Sequence, residues 1–151
     1  MTRRKRRDNV VVDTNVFLAN FLSPRTNSPN RRVIRLWLIE KAFKLAVTRE
    51  IETEYLRIFS DVLGFDNNLL LRWQERFNNK RLTESVNRHI NLRISRDPND
   101  DMFIAVAIAA RAKFLITNDR DLLDISDADK RKLKFQIVTP GQFLKQWDAL
   151  Q

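Results

Sequence analysis

The side chains able to do chemistry in this chain are carboxylates, because the other reactive types are nearly absent. There is no cysteine and one histidine, His89. Thiolate metal sites, cysteine nucleophiles and histidine-rich centres are thereby excluded, and the lack of cysteine fits a reducing compartment. The acids are unevenly spread. Asp97, Asp100, Asp101, Asp119, Asp121, Asp124, Asp127 and Asp129 fall in one stretch that holds only Arg111, Lys113 and Arg120 as basic residues. Apart from them, Asp13 closes a run of three valines and is followed by Thr14 and Asn15, and Glu54 lies in a helical stretch with Glu50 and Glu52.

Each acid alone has an ordinary explanation. Asp13 can cap a helix starting near Val16, a role Asn15 could fill equally well. Glu54 fits a solvated helix face. Asp100 and Asp101 complement a helix dipole, and Asp119 can cap a short helix around Asp121 to Leu123. Asp100 and Asp101 project about 100° apart on a helix, so they do not share a role. Asp101 precedes Ile104 by three and Ala105 by four positions, at the top of an apolar face; Asp100 points more outward.

The elements that must position these acids alternate between strands and helices. Val10–Asp13, Lys44–Thr48, Ile90–Ile94, Lys113–Thr117 and Phe135–Thr139 read as strands. Asn30–Phe43, Arg49 to about Asp61 (capped by Thr48), Asp66–Asn78 and Pro98 to about Ala112 (capped by Asp97) read as helices, and Pro140 opens another. Continuous apolar strands alternating with helices imply a parallel sheet covered on both faces, a three-layer α/β/α fold. In such sheets the ligand crevice lies outside the carboxyl ends of the strands. Asp13 and Asp119 belong there, and Asp101 starts the helix after the third strand. Carboxylates gathered in this way repel one another unless cations join them. An all-oxygen donor set suits a hard ion, Mg²⁺ or Mn²⁺, and such an ion in a basic protein points to phosphodiester hydrolysis.

The net charge is +9 over 151 residues, which favours a polyanionic partner. Arg3, Arg4, Lys5, Arg6 and Arg7 crowd the first eight residues with one acid, so the remainder still carries +5. We expect residues 1–8 to be a flexible basic tail available to a polyanion, and residues 9–151 to form one domain. Only Gly64 and Gly141 are present, which excludes a glycine-rich phosphate cradle. No apolar run approaches the roughly 18 residues of a membrane span, and no secretory signal follows the basic start; a cytoplasmic protein is expected. Trp37, Trp73 and Trp147 lie among apolar helical neighbours and are read as core, and His89 as a surface or strand-edge residue.

Val10-Val-Val-Asp13-Thr-Asn15, Glu54, Arg96-Asp-Pro-Asn-Asp-Asp101-Met-Phe-Ile-Ala105 and Leu115-Ile-Thr-Asn-Asp119-Arg-Asp-Leu-Leu123, in this order, resemble the PIN domain family over about residues 9–140. The branch most resembled is that of toxin components of toxin–antitoxin pairs. The resemblance implies a sheet ordered 3-2-1-4-5 and a ribonuclease site of Asp13, Glu54, Asp101 and Asp119 binding Mg²⁺ or Mn²⁺, with Asp121 as a possible fifth ligand. Asn15 and Thr117 would orient the carboxylates. It also implies an RNA substrate, a cognate antitoxin protein and a homodimer. Asn118 stands where many relatives have glycine, and asparagine tolerates the same left-handed backbone. The motif around Glu54 is loose, leaving Glu50 and Glu52 as alternatives. Two other folds with acidic pockets fit less well. A receiver domain needs an Asp after strand three and a Lys after strand five. A haloacid-dehalogenase phosphatase needs a second Asp where Asn15 stands. A PIN fold acting only as an RNA- or partner-binding module is the competing reading, and the intact set of four carboxylates argues against it.

Overall fold

Three consecutive valines, Val10 to Val12, leave no polar side to a strand, and the computed structural model places them at the centre of a five-stranded sheet, each about 1% exposed or less. The structure describes residues 6–87 and 98–151. Its strands are β1 (Asn9–Val12), β2 (Lys44–Val47), β3 (Thr83–Ser85), β4 (Phe114–Ile116) and β5 (Gln136–Val138). All pair in parallel in the order β3-β2-β1-β4-β5. The helices are α1 (Thr14–Leu22), α2 (Pro29–Leu38), α3 (Arg49–Asp61), α4 (Asn67–Phe77), α5 (Pro98–Ala109), α6 (Arg120–Leu123), α7 (Asp127–Arg131) and α8 (Pro140–Ala149).

Most helix starts follow from capping chemistry. Thr48 Oγ1 accepts from Ile51 N at 3.1 Å, and Asp66 from Leu69 N at 2.9 Å. Thr139 and Gln142 form a reciprocal capping box behind Pro140. One side of the sheet is packed with aromatic rings. Phe17 of α1 sits at their centre, with ring centroids 4.8 to 6.0 Å from Trp37, Tyr55, Phe59, Trp73 and Phe77. Trp37 and Trp73 are core residues, as expected. Trp147 stacks on buried Phe143 with centroids 5.9 Å apart.

One expected boundary differs. The helix expected over 30–43 ends at Leu38, and Lys41 has left-handed backbone, φ 52°. Ala42 N returns to Leu36 O at 2.9 Å, so the helix closes on a left-handed turn built without glycine. The segment expected as third strand, Ile90–Ile94, lies outside the described residues, as do His89 and Asp97. The edge strand beside β2 is Thr83–Ser85, in register with Leu45–Val47. It is short and polar, which suits an exposed sheet edge. Trp37 Nε1 fixes its start by donating to Leu82 O at 2.7 Å. No helix of the described residues is long and apolar enough to cross a membrane.

Candidate metal centre and active site

The sheet reverses its winding direction at β1, whose neighbours β2 and β4 come from opposite halves of the order. The crevice of such a sheet opens at the carboxyl ends of these strands. Asp13 follows β1, and Thr117 follows β4 directly beside it, since Val12 pairs with Ile116 and Asp13 N donates to Ile116 O at 2.9 Å. Asp13 is 5% exposed and Thr117 fully buried.

Thr117 joins the two strand-end acids through one hydroxyl. Its Oγ1 donates to Asp13 Oδ2 at 2.6 Å and accepts from Asp119 N at 2.9 Å. Asn15 adds a second brace: Nδ2 donates to Asp13 Oδ2 at 3.1 Å, while Oδ1 accepts from Asn118 N at 3.2 Å. Both acids also cap helices. Asp13 accepts from Asn15 N at 3.5 Å at the start of α1, and Asp119 Oδ1 accepts from Asp121 N at 2.9 Å at the start of α6. Asp13, rather than Asn15, is therefore the cap of α1. Capping is part of the site's construction and does not compete with a site role.

Burial, with a smaller push from the nearby Asp119 charge, raises the Asp13 carboxyl to about 6 against the bonds from Thr117, Asn15 and Thr14, which act in the opposite direction. At neutral pH a buried carboxylate thus carries its charge beside a second carboxylate, and among the described residues no cationic side chain offsets it. An oxygen-binding cation would relieve that charge. Mg²⁺ is commonly held by only one or two carboxylates, with water and substrate phosphate completing its shell. The pair Asp13 and Asp119 fits that requirement.

The other expected ligands stand differently. Asp101 is 7% exposed, in the first turn of α5. Asn9 Nδ2 donates to Ala110 O, which puts the end of α5 at the amino edge of the sheet. Twelve helical residues cover about 18 Å, so Asp101 lies at the carboxyl edge with Asp13. Asp121 is partly buried at the start of α6. Glu54 is on α3, which starts at that same edge, but its carboxylate is held by Arg57 at 2.9 to 3.3 Å. Glu52 is partly buried, and burial raises its carboxyl above the usual range. Among the described residues no three acidic side chains converge closely enough to surround an ion together. Of the expected tail residues, Arg3, Arg4 and Lys5 lie outside the described residues. Arg6 is exposed, and Arg7 Nη1 donates to Lys41 O at 3.2 Å.

Tyr55 was not foreseen as a site residue. It is fully buried on α3, and its hydroxyl donates to Val12 O, the carbonyl preceding Asp13. The β1–β2 ladder pairs only Asn9 with Lys44 and Val10 with Leu45, whereas β1–β4 runs through Val12. The two strands part at their carboxyl ends, and the Tyr55 hydroxyl fills the gap. Burial, then the Asp13 charge, holds that phenol protonated far above the usual range, so it remains a donor. The available signal was a tyrosine on the apolar stripe between Ile51 and Phe59, since a buried hydroxyl needs a partner.

The sequence model of the PIN domain matches residues 9–121, and the chain belongs to the PIN domain family. Members of this family are generally nucleases and generally use divalent metal ions. The chain is also similar to the uncharacterized protein MJ1680 of Methanocaldococcus jannaschii, 27% identical over 147 residues that cover 92% of this chain and 91% of that protein.

Proposed function

We propose that this PIN domain is a ribonuclease that hydrolyses RNA phosphodiesters with Mg²⁺ or Mn²⁺ held at Asp13 and Asp119. The observation that carries the reading is the buried Asp13 carboxylate, locked by Thr117 beside Asp119 at the point where the sheet reverses direction. A bound divalent ion supplies an activated water and charge neutralisation for the phosphodiester.

The chain's own residues do the positioning. Thr117 and Asn15 fix the Asp13 oxygens, and Asp119 is held by its own backbone bond to Thr117 and by its cap of α6. Asp101 on α5 and Glu54 on α3 would complete the ligand set, Glu54 only on release from Arg57, and Asp121 would be the further ligand two residues after Asp119. RNA, rather than a small phosphoester, is supported by the net charge of +9 and by the basic residues Arg3 to Arg7. From the motif resemblance we assign the toxin role of a toxin–antitoxin pair, with a cognate antitoxin and a homodimer as its partners, in the cytoplasm.

A second reading, a PIN fold that binds RNA or a protein with little catalysis, draws on the engagement of Glu54 by Arg57. The test is incubation of labelled single-stranded RNA with the purified chain in Mg²⁺, Mn²⁺ or EDTA. Cutting that requires the metal supports the ribonuclease; binding without cutting under any metal supports the second reading.

A further inference from the structure

A cleft of about 360 Å³ lies one strand away from the carboxylates, between α6, α7, β5 and the start of α8. Its polar lining comes from Arg120, Asp124, Lys130, Thr139 and Gln142. Arg120 directly follows Asp119. Thr139 directly follows β5, whose Val138 O accepts from Thr117 N at 2.9 Å. Adjacent strands are about 4.8 Å apart, so the cleft opens within roughly one to two strand spacings of the Asp13–Thr117–Asp119 network.

The charge of the cleft is positive. The Arg120 guanidinium makes no hydrogen bond or ion pair among the described residues; the backbone carbonyl of Arg120 accepts from Asp124 N at 2.7 Å. Lys130 Nζ donates to Leu123 O at 2.7 Å, a carbonyl that leaves its charge uncancelled. Among the described lining residues, Asp124 is the one carboxylate set against these two cations. The ten-residue helix α8 adds its positive end. There, Thr139 Oγ1 accepts from Gln142 N and Gln142 Oε1 accepts from Thr139 N, Pro140 has no N–H, and Gly141 stands between the two lining residues Thr139 and Gln142. A Cβ on Gly141 would meet only Thr139 Oγ1, at 4.0 Å, so a ligand can approach this backbone closely. Leu123 and Ile137 offer apolar surface on which a sugar can rest.

We propose that this cleft is a subsite for a backbone phosphate of the RNA strand, next to the phosphodiester that lies at Asp13 and Asp119. The proposal rests on the ribonuclease reading for its substrate, and places the strand across the carboxyl ends of β1, β4 and β5. Arg120 contacts the phosphate directly, Lys130 adds charge while closing the α6–α7 turn, and the start of α8 completes the cradle.

The experiment measures affinity of the full chain for a short single-stranded RNA in EDTA over a range of salt concentrations. The variants Arg120→Gln, Gly141→Glu and Arg72→Gln each lower the net charge by one. Arg72 is exposed on α4, away from the cleft. An acid in the first turn of α8 favours the helix, so Gly141→Glu keeps its fold, checked by its melting temperature. We expect Arg120→Gln and Gly141→Glu to weaken binding about five- to tenfold and to flatten the salt dependence by about 0.7 in slope. Arg72→Gln should stay within about twofold of wild type, as a general field effect would dictate. Equal small losses in all three variants would overturn the subsite and leave the ribonuclease reading standing. Selective loss in the two cleft variants, with no RNA cutting by wild type in Mg²⁺ or Mn²⁺, would uphold the subsite and remove the ribonuclease reading. Failure of wild type to bind RNA would overturn both.

Discussion

Replacing Thr117 by valine preserves shape and removes one hydroxyl, and that hydroxyl joins the two strand-end acids. It donates to Asp13 Oδ2 at 2.6 Å, within the range of charge-assisted O–H···O⁻ bonds, and accepts from Asp119 N at 2.9 Å. Above about pH 6 Asp13 is ionised, so the first bond contributes about 1.5–3 kcal/mol. Losing the acceptor for Asp119 N costs about 1 kcal/mol more. The variant should therefore be less stable than wild type by about 3 kcal/mol at pH 7.5 in EDTA, read by urea unfolding. A second effect has a definite sign. The Thr117 bond is the largest influence holding the Asp13 carboxyl down against burial, so its removal raises that carboxyl further. Ion binding requires the carboxylate, and the pH midpoint of Mn²⁺ binding should move up by roughly one unit for each 1.4 kcal/mol of lost preference for the charged form. Titrations between pH 5 and 8 would show this. A variant with the wild-type midpoint would refute the claim that Thr117 tunes Asp13, whatever happened to stability.

Three further expectations follow from the same geometry. Asp13 has a folded value of about 6 against an ordinary 3.8, so the folded state holds its proton more tightly. The stability this contributes is complete below pH 3.8 and lost as pH rises through 6, about 3 kcal/mol in metal-free protein. Asp13→Asn should lack that loss and melt above wild type at pH 7.5 in EDTA, and a lower melting temperature there would contradict the assigned burial cost. Tyr55→Phe strips Val12 O of its partner where β1 and β2 part, and should cost about 1–2 kcal/mol in urea unfolding; an unchanged midpoint would show that water replaces the hydroxyl. Glu54→Gln breaks a half-exposed pair with Arg57, so the urea midpoint should stay close to that of wild type, while RNA cleavage falls at least about tenfold if Glu54 joins the metal site. Full activity in the variant would remove Glu54 from it.

The parts of this molecule legible in the sequence are those where a local rule and the tertiary structure agree. Val10-Val-Val-Asp13 can only be a buried strand ending at an acid, and Pro98 and Pro140 mark helix starts by their missing N–H groups. The edge strand Thr83–Ser85 was missed because it has no apolar alternation; it is a strand through its pairing with Leu45–Val47 and through Trp37, 45 residues earlier. The stretch at 90–94 has the local alternation that Thr83–Ser85 lacks, and it lies outside the described residues. The end of α2 was hidden for a related reason, since Lys41 adopts a backbone that sequence rules reserve for glycine. At the site, the strand-end acids were legible from position, and Thr117 from the motif resemblance. The hold of Arg57 on Glu54 and the reach of Tyr55 to Val12 O depend on rotamers and on the splay between β1 and β2, which spacing does not encode.

The most direct test of the central claim compares wild type and Asp13→Asn on a labelled single-stranded RNA at pH 7.5, with Mg²⁺ or Mn²⁺ and with EDTA, and reads both the extent of cutting and the new ends. Attack by water leaves the 2′-hydroxyl unused. The account predicts metal-dependent cutting by wild type with no 2′,3′-cyclic phosphate, abolished in Asp13→Asn while RNA binding in EDTA is kept or strengthened. Equal cutting by the two proteins, or cutting that persists in EDTA and leaves cyclic ends, would contradict it.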